Sequence, residues 1–116
     1  MKVSARNVFS GTVQSITPGS VNAEVLLGLP GGDSLVAIVT LASVGALGLA
    51  VGQPAIALVK APWVILVTEA SDVRFSARNQ LQGTISALQV GAVNTEVTLS
   101  LPGGTAVYAV LTNDAC

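Results

Sequence analysis

Short apolar runs alternate with clusters of turn-forming residues along the chain. The runs are rich in valine, leucine, isoleucine and threonine, and they occupy residues 7–16, 22–29, 35–40, 55–60 and 64–68. Runs of this length and composition predict β-strands. Gly11 lies inside the first run and predicts a bulge or a sharp bend. The third run is almost entirely apolar, so we expect it to be buried on both faces or to lie at a subunit contact.

Residues 41–49 follow a different period. Their apolar side chains recur three or four positions apart, which predicts one short helix that stops before the Gly52-Gln53-Pro54 sequence. Residues 34–59 carry no charge, so their length alone would permit a membrane-spanning helix. Glycine and proline interrupt this stretch, and the repeat described next assigns its first part to a strand. We therefore predict no membrane span.

The chain contains the same pattern twice, at an offset of 72 residues. Ser-Ala-Arg-Asn occurs at residues 4–7 and again at 76–79, and Leu-Pro-Gly-Gly occurs at 29–32 and again at 101–104. Without any gap, 18 of 41 aligned positions are identical. Such self-similarity indicates duplicated structural units. We assign residues 1–70 to a first domain and residues 71–116 to a partial second domain, which lacks the counterpart of residues 45–68.

Five short strands and one small helix predict an all-β fold. The arrangement is typical of a small five-stranded β-barrel of the oligonucleotide/oligosaccharide-binding (OB) type. It is repeated in tandem here, and the second copy is incomplete: it supplies three strands and the start of a helix.

Composition excludes several function classes. Histidine is absent, and the one cysteine is the last residue, so the sequence offers no zinc cluster and no Ser-His or Cys-His catalysis. The net charge of −1 and the 3% of aromatic residues argue against a nucleic-acid partner. The first residues do not form a secretory signal peptide, and the lack of paired cysteines is typical of the cytoplasm. We predict a cytoplasmic protein that is not an enzyme.

The repeated motifs resemble those of the Mop (TOBE-type) family of molybdate-binding proteins. The shared elements are Ser-Ala-Arg-Asn, Gly-Thr-Val, Gly-x-Val-Asn-x-Glu-Val, Thr-x-x-Ser and Val-Lys-Ala-x-x-Val. The tandem arrangement resembles the two-domain (di-Mop) proteins of bacterial molybdenum homeostasis. The resemblance implies a small β-barrel that assembles into closed rings, with trimers for the tandem form. It also implies storage of molybdate or tungstate at subunit interfaces, without a cofactor or a bare metal ion.

The resemblance also implies which residues bind the oxyanion. They are the residues at matching motif positions: Ser4, Ala5, Arg6, Thr40, Ser43, Lys60, Ala61, Ser76, Ala77, Arg78 and Thr112. Asn22 and Asn94 are weaker candidates, because a second kind of family site lies around the Val-Asn segment. Ala115 stands where the first copy has Ser43, and the second copy has no counterpart of Lys60.

Elementary chemistry agrees with this assignment. Molybdate is a tetrahedral dianion that offers only acceptor oxygens, so its site needs N–H groups, hydroxyls and cations at short range. The chain has five cationic side chains, and Arg6, Lys60 and Arg78 fall on motif positions. Successive N–H groups in Ser-Ala-Arg-Asn suit an anion-binding turn. The hydroxyls of Thr40 and Ser43 lie where the predicted helix starts, near its unpaired N–H groups.

Each of these residues also has a structural interpretation. Arg6, Arg78 and Lys60 are compatible with solvated surface positions. Thr40 and Ser43 are compatible with helix capping, and capping does not exclude anion binding. Asn22 and Asn94 are compatible with tight turns.

Three hypotheses about function remain open at this stage. The first is an oxyanion-storage protein, and the second is an accessory or regulatory oxyanion-sensing module of a molybdate transporter or regulator. The third is a nucleic-acid-binding barrel, which the charge and the aromatic content disfavour.

Overall fold

A computed structural model describes residues 7–66 and 79–115. The first repeat forms four strands, one α-helix and two short 3₁₀ turns: β1 (Asn7–Pro18), β2 (Asn22–Gly28), a turn at Pro30–Gly32, β3 (Ser34–Thr40), α1 (Leu41–Leu47), β4 (Pro54–Val59) and a turn at Ala61–Trp63. The second repeat forms three strands and a 3₁₀ turn: β5 (Thr84–Val90), β6 (Asn94–Ser100), β7 (Ala106–Thr112) and a turn at Asn113–Ala115. The predicted all-β architecture with one short helix is confirmed, and its curled sheet forms an OB-like half-barrel.

The two repeats fold alike as far as β7. The first repeat forms an antiparallel sheet in the order β3-β2-β1-β4, and the second forms one in the order β5-β6-β7. Thr40 pairs with Asn22 in the first sheet, and Thr112 pairs with Asn94 in the second. The internal repeat seen in the sequence is therefore a repeat of structure, down to the residue register.

The irregularity predicted at Gly11 lies slightly further along the strand. The register of β1 shifts between Val13 and Ser15, and that of β5 shifts at the corresponding place between Ile85 and Ala87. Gly11 is needed for another reason, since a Cβ atom there would collide with the backbone carbonyl oxygen of Gly28 on β2. Glycine thus permits close approach of two strands here, and the bulge forms beside it.

The predicted helix is confirmed and both of its ends have local causes. The Thr40 hydroxyl caps the first turn, and Gly48 ends the helix with a φ of 64°, a left-handed conformation that favours glycine. The uncharged stretch of residues 34–59 folds as β3, α1 and β4. Among the described residues, no helix is long and apolar enough to cross a membrane.

The predicted fifth strand of the first repeat is wrong for the residues that can be checked. Residues 64–66 are not in a strand, while Val67 and Thr68 lie outside the described residues. The N–H of Val64 donates to the carbonyl of Ala61 at 3.2 Å and so completes the 3₁₀ turn. Ile65 remains 85% exposed. Val64 is half-buried against the core, but residues 64–66 pair with no strand among the described residues, and apolar composition alone does not make a strand.

The core belongs to both repeats. Its buried side chains come from each half of the chain: Phe9, Leu27, Leu29, Leu35, Leu101 and Val107. The two Leu-Pro-Gly-Gly turns meet beside it, where the N–H of Gly103 donates to Asp33 Oδ2 at 3.2 Å. A Cβ atom on Gly31 would collide with Gly103, so the turns touch through bare backbone. Neither repeat therefore packs as an independent unit. The proposed boundary between residues 70 and 71 lies outside the described residues.

The expectation that β3 is buried on both faces is wrong. β3 is an edge strand: Leu35 points into the core, but the side chain of Ile38 is 58% exposed. Its apolar character therefore has no complete explanation within one chain, and the alternative, a subunit contact, stays a prediction.

Candidate functional site

Two hydroxyls at the end of β3 form a compact hydrogen-bonded pair. Ser43 donates its backbone N–H to Thr40 Oγ1 at 3.1 Å, and the Thr40 hydroxyl donates to Ser43 Oγ at 2.8 Å. Thr40 is exposed and Ser43 is half-buried. The helix-cap interpretation is thus confirmed for Thr40. In this arrangement Ser43 Oγ retains its own proton, which can be donated to an acceptor such as an oxyanion.

The same strand end recurs in the second repeat with weaker chemistry. Thr112 ends β7 as Thr40 ends β3, and each is exposed. Ala115 replaces the Ser43 hydroxyl, and Asp114 adds a carboxylate two residues after Thr112. A nearby negative charge opposes the binding of a dianion. The two strand ends are therefore equivalent in strand register but not as anion sites.

Asn22 and Asn94 begin β2 and β6 directly opposite the two threonines. Their backbone carbonyls accept the N–H groups of Gly19 at 2.7 Å and of Gly91 at 2.8 Å. Both residues thus close tight turns with their backbone, as one interpretation expected, while their exposed side chains stay beside Thr40 and Thr112.

Lys60 and Ala61 directly follow β4. Ala61 is 2% exposed, and the 3₁₀ turn that it begins packs on β7. Lys60 is exposed, and its Nζ lies 5.8 Å from the centroid of the Trp63 ring, a distance at which a cation is attracted to an aromatic face. Lys60 is the one cationic side chain within the part of the chain that the structure describes. Ala61 acts through packing and its backbone.

The two Ser-Ala-Arg tripeptides lie outside the described residues. This applies to the six candidates Ser4, Ala5, Arg6, Ser76, Ala77 and Arg78. The asparagine that completes each motif is described, and it makes contacts that sequence reasoning missed. Asn7 Nδ2 donates to the carbonyl of Tyr108 at 2.8 Å, and Asn7 Oδ1 accepts the N–H of Tyr108 at 2.7 Å.

Asn79 of the second repeat makes the equivalent pair of bonds to a strand of the first repeat. Its Nδ2 donates to the carbonyl of Val36 at 2.8 Å, and its Oδ1 accepts the N–H of Val36 at 2.7 Å. Each repeat thus fastens its motif asparagine to the edge strand of the other repeat. The recurrence of asparagine at positions 7 and 79 was the available signal, but nothing in the sequence indicated which residue it would bind.

The fold separates candidates that the sequence had grouped in one repeat. Thr40 ends β3 at one edge of the sheet, whereas Lys60 follows β4 at the other edge. They also lie at opposite ends of β1. Thr40 is opposite Asn22 at the start of β2, which neighbours Pro18 at one end of β1. Lys60 follows Val59, which pairs with Asn7 at the other end of β1. The 12 residues of β1 correspond to roughly 35 Å of strand path. One small anion cannot contact both residues of a single chain.

No metal centre is visible within residues 7–66 and 79–115, since no three His, Cys, Asp or Glu side chains cluster there. The described site residues instead offer hydroxyls, backbone N–H groups and one ammonium group. This set suits an anion with acceptor oxygens.

Comparison with known proteins gives the family. Residues 3–66 and 76–116 each match the TOBE domain. The chain is 44% identical over 115 residues to the molybdenum transport protein ModE of Herbaspirillum seropedicae, and 42% identical over 113 residues to the molybdenum-pterin-binding protein MopA of Rhodobacter capsulatus. These alignments cover 99% and 97% of the chain. The chain spans 43% of the length of each of these relatives.

A solved structure is similar over nearly the whole chain. It is that of the cytoplasmic molybdate-binding protein ModG with molybdate bound, at 55% identity and a TM-score of 0.93, covering 99% of this chain and 82% of that one. These proteins are named for binding or transport, which confirms the expectation of a binding protein rather than an enzyme. Since two TOBE matches account for most of the residues, the chain belongs to the TOBE-domain family, in its tandem molybdate-binding (Mop) form.

Proposed function

We propose that this chain binds molybdate, or the similarly shaped tungstate, as a cytoplasmic store that buffers molybdenum. The observation that carries the proposal is the likeness to ModG, whose solved structure holds molybdate, at a TM-score of 0.93. The paired hydroxyls of Thr40 and Ser43 support it from the site itself. They leave a donor at an exposed strand end, in a chain where cationic side chains are scarce.

The proposed ligands are the motif residues of both repeats. The two Ser-Ala-Arg tripeptides supply three kinds of donor. These are backbone N–H groups, including those of Ala5 and Ala77, the hydroxyls of Ser4 and Ser76, and the guanidinium groups of Arg6 and Arg78. The strand ends supply hydroxyls, from Thr40 and Ser43 in the first repeat and from Thr112 alone in the second. Lys60 supplies a compact positive charge, and Ala61 supplies a backbone group. Asn22 and Asn94 stand beside the threonines as secondary donors.

The separation of Thr40 from Lys60 supports a site shared between chains. If both residues contact one anion, they come from different copies, because a single chain holds them at opposite edges and opposite ends of the sheet. Exposed aliphatic side chains on β3 and β4 support such association: Ile38 is 58%, Ile56 53% and Leu58 47% exposed. We propose a homotrimer with anions at its subunit interfaces.

Calorimetric titration with molybdate, tungstate and sulfate tests the proposal, together with the molar mass in solution. We expect heat from molybdate and tungstate, none from sulfate at the same concentration, and a mass three times that of one chain. Sulfate is smaller, so a rigid site shaped for molybdate leaves some of its donors unpaired with sulfate, which lowers affinity. Equal binding of sulfate would contradict a dedicated molybdate site, and a monomer that binds tightly would contradict the interface.

A second candidate is an oxyanion-sensing module of a transporter or regulator. It is favoured by one observation: the chain matches less than half of the ModE and MopA sequences, so these relatives carry further segments. Intact mass spectrometry of the natural protein separates the two candidates. A species of the 116-residue mass supports the store, and a longer polypeptide containing this sequence supports the module.

A further inference from the structure

The outer edge of the second sheet differs from the same edge of the first sheet, which a strand covers. In the first repeat β4 pairs with residues 7–12 of β1. The turn before β4 extends this contact, because the N–H of Val13 donates to the carbonyl of Gln53 at 2.9 Å and the N–H of Gly52 donates to the carbonyl of Val13 at 2.8 Å. The equivalent edge of the second repeat consists of residues 79–85. Among the strands that the structure describes, none pairs with this edge.

Equivalent residues on the two edges differ in burial and in secondary structure. Val13 is 1% exposed, whereas its counterpart Ile85 is 48% exposed. Residues 7–11 open β1, but residues 79–83 are not in a strand, although Leu81 packs against the same core as Phe9. A segment becomes a strand where another strand accepts its hydrogen bonds. The second repeat therefore holds this segment in place without the neighbour that makes it a strand in the first repeat.

The register shows which backbone groups the second edge presents. Val13 lies opposite Leu27 on β2, and its N–H and C=O point away from β2 towards the turn before β4. Ile85 lies opposite Leu99 in the same register, so its N–H and C=O also point outward. In an extended chain the groups of Gly83, two residues earlier, point the same way. The edge thus presents donors and acceptors in the spacing that β4 satisfies in the first repeat.

We propose that residues 79–85 form an acceptor edge for a β-strand of another polypeptide. In strand addition of this kind, main-chain hydrogen bonds supply affinity and the side chains at alternate positions supply specificity. The acceptor edge does not include the hydroxyls and the ammonium group of the proposed oxyanion site, so the two functions are independent.

The chemistry of the partner strand follows from β4. Ala57 and Ala55 lie opposite Phe9 and Gly11 and pack against the core, so the positions that face the core are small and apolar. The counterparts of Phe9 and Gly11 are Leu81 and Gly83, and residues 79–90 carry no charge. The edge therefore fits an extended segment of about six residues with small aliphatic side chains at alternate positions.

A second copy of this chain cannot supply β4 for this purpose without an equal loss. β4 already pairs with β1 along its whole length, from Pro54 to Val59. A copy that placed its β4 on the acceptor edge of a neighbour would uncover the edge of its own β1. The number of uncovered edges would stay the same, and so we assign the strand to a different polypeptide.

The test adds a synthetic peptide with the sequence of residues 50–60 and capped ends to the whole chain, without molybdate. This peptide contains β4 and the turn before it. The matched control peptide carries an N-methyl group on the amide of the residue that corresponds to Ala57, which removes one backbone donor and leaves every side chain unchanged. Amide hydrogen exchange at Gly83 and Ile85 reports pairing at the acceptor edge. The amides of Gly11 and Val13 are the internal control, because β4 and its turn already cover them.

We expect the unmodified peptide at about 1 mM to slow exchange at Gly83 and Ile85 by about tenfold, the effect of a ligand present at about ten times its Kd. The N-methylated peptide should slow neither amide, and exchange at Gly11 and Val13 should not change with either peptide.

Three results would overturn the proposal. Unchanged exchange at Gly83 and Ile85 would show that the edge accepts no strand of this chemistry. Equal slowing by both peptides would show binding through side chains rather than strand pairing. Slow exchange at both amides before any peptide is added would show that the chain itself or a second copy covers the edge.

Discussion

Single residues of the same type have different surroundings in the two repeats, and the motif asparagines are the clearest case. Asn7 is 1% exposed, whereas Asn79 is exposed. Loss of the Asn7 amide removes two part-buried hydrogen bonds to the backbone of Tyr108. Water can reach the same two groups of Val36 when the Asn79 amide is lost.

We therefore expect Asn7→Ala to lower the free energy of unfolding by about 2–3 kcal/mol, and Asn79→Ala by about 0.5–1 kcal/mol. Urea unfolding followed by circular dichroism measures both values. Equal losses would mean that burial does not decide how much each pair of asparagine hydrogen bonds contributes to stability.

The Ser43 hydroxyl is the proposed anion donor that is easiest to isolate. Ser43→Ala removes one hydrogen bond to a charged ligand, a loss of about 1.5–3 kcal/mol or roughly tenfold or more in molybdate affinity. Ser20→Ala is the matched control, since the second repeat already carries Ala92 at that position. If the two variants bind molybdate equally, Ser43 is a capping partner of Thr40 and not a ligand.

At the level of elements, glycines in and after α1 have opposite roles. Gly45 lies within the helix and a Cβ atom there would meet open space, whereas Gly48 ends the helix at a φ of 64°. Gly45→Ala should raise the free energy of unfolding by about 0.5–1 kcal/mol, because alanine favours the helix. Gly48→Ala should lower it by about 1 kcal/mol, because a side chain is strained in that conformation. Thermal unfolding of the two variants gives the sign of each change in the free energy of unfolding. A lower free energy of unfolding in Gly45→Ala would show that helix propensity does not determine stability at this position.

Elements with a local cause were predictable from the sequence. Helix α1 has its cap at Thr40 and its stop at Gly48, and both signals are adjacent to it in the sequence. The expected strand at residues 64–68 had no such local signal. Its apolar residues resembled those of the other strands, but a strand forms where another strand accepts its hydrogen bonds, and Val64 had already bonded back to Ala61.

At the level of the whole molecule, the shared core couples the stabilities of the two repeats. Leu101 of the second repeat is 4% exposed and packs among Phe9, Leu27 and Leu29 of the first. Leu101→Ala should lower the free energy of unfolding by about 2–5 kcal/mol, because it opens a cavity in this core. Hydrogen exchange in β2 should rise although the substitution lies in the other repeat.

Leu88→Ala is the control for this experiment. Leu88 lies on β5 of the same repeat but is 60% exposed, so its replacement should change stability by less than about 0.5 kcal/mol. If Leu101→Ala raised exchange in β5, β6 and β7 alone, the repeats would unfold independently and the core would not be a single unit.

The ligand class was an expectation that rested on the resemblance of the motifs to a known family, whereas the sequence by itself determined the repeat, the β-rich architecture and the helix. These depend on properties that are local or that recur at a fixed offset: strand-forming runs, the cap at Thr40, and motif residues 72 positions apart. Tertiary structure alone decided which residues meet. Asn79 reaches Val36, Asn7 reaches Tyr108, and Thr40 is separated from Lys60 by the whole width of a sheet. The partners of both asparagines are backbone groups, which every residue has, and so no residue type marks those partners in advance.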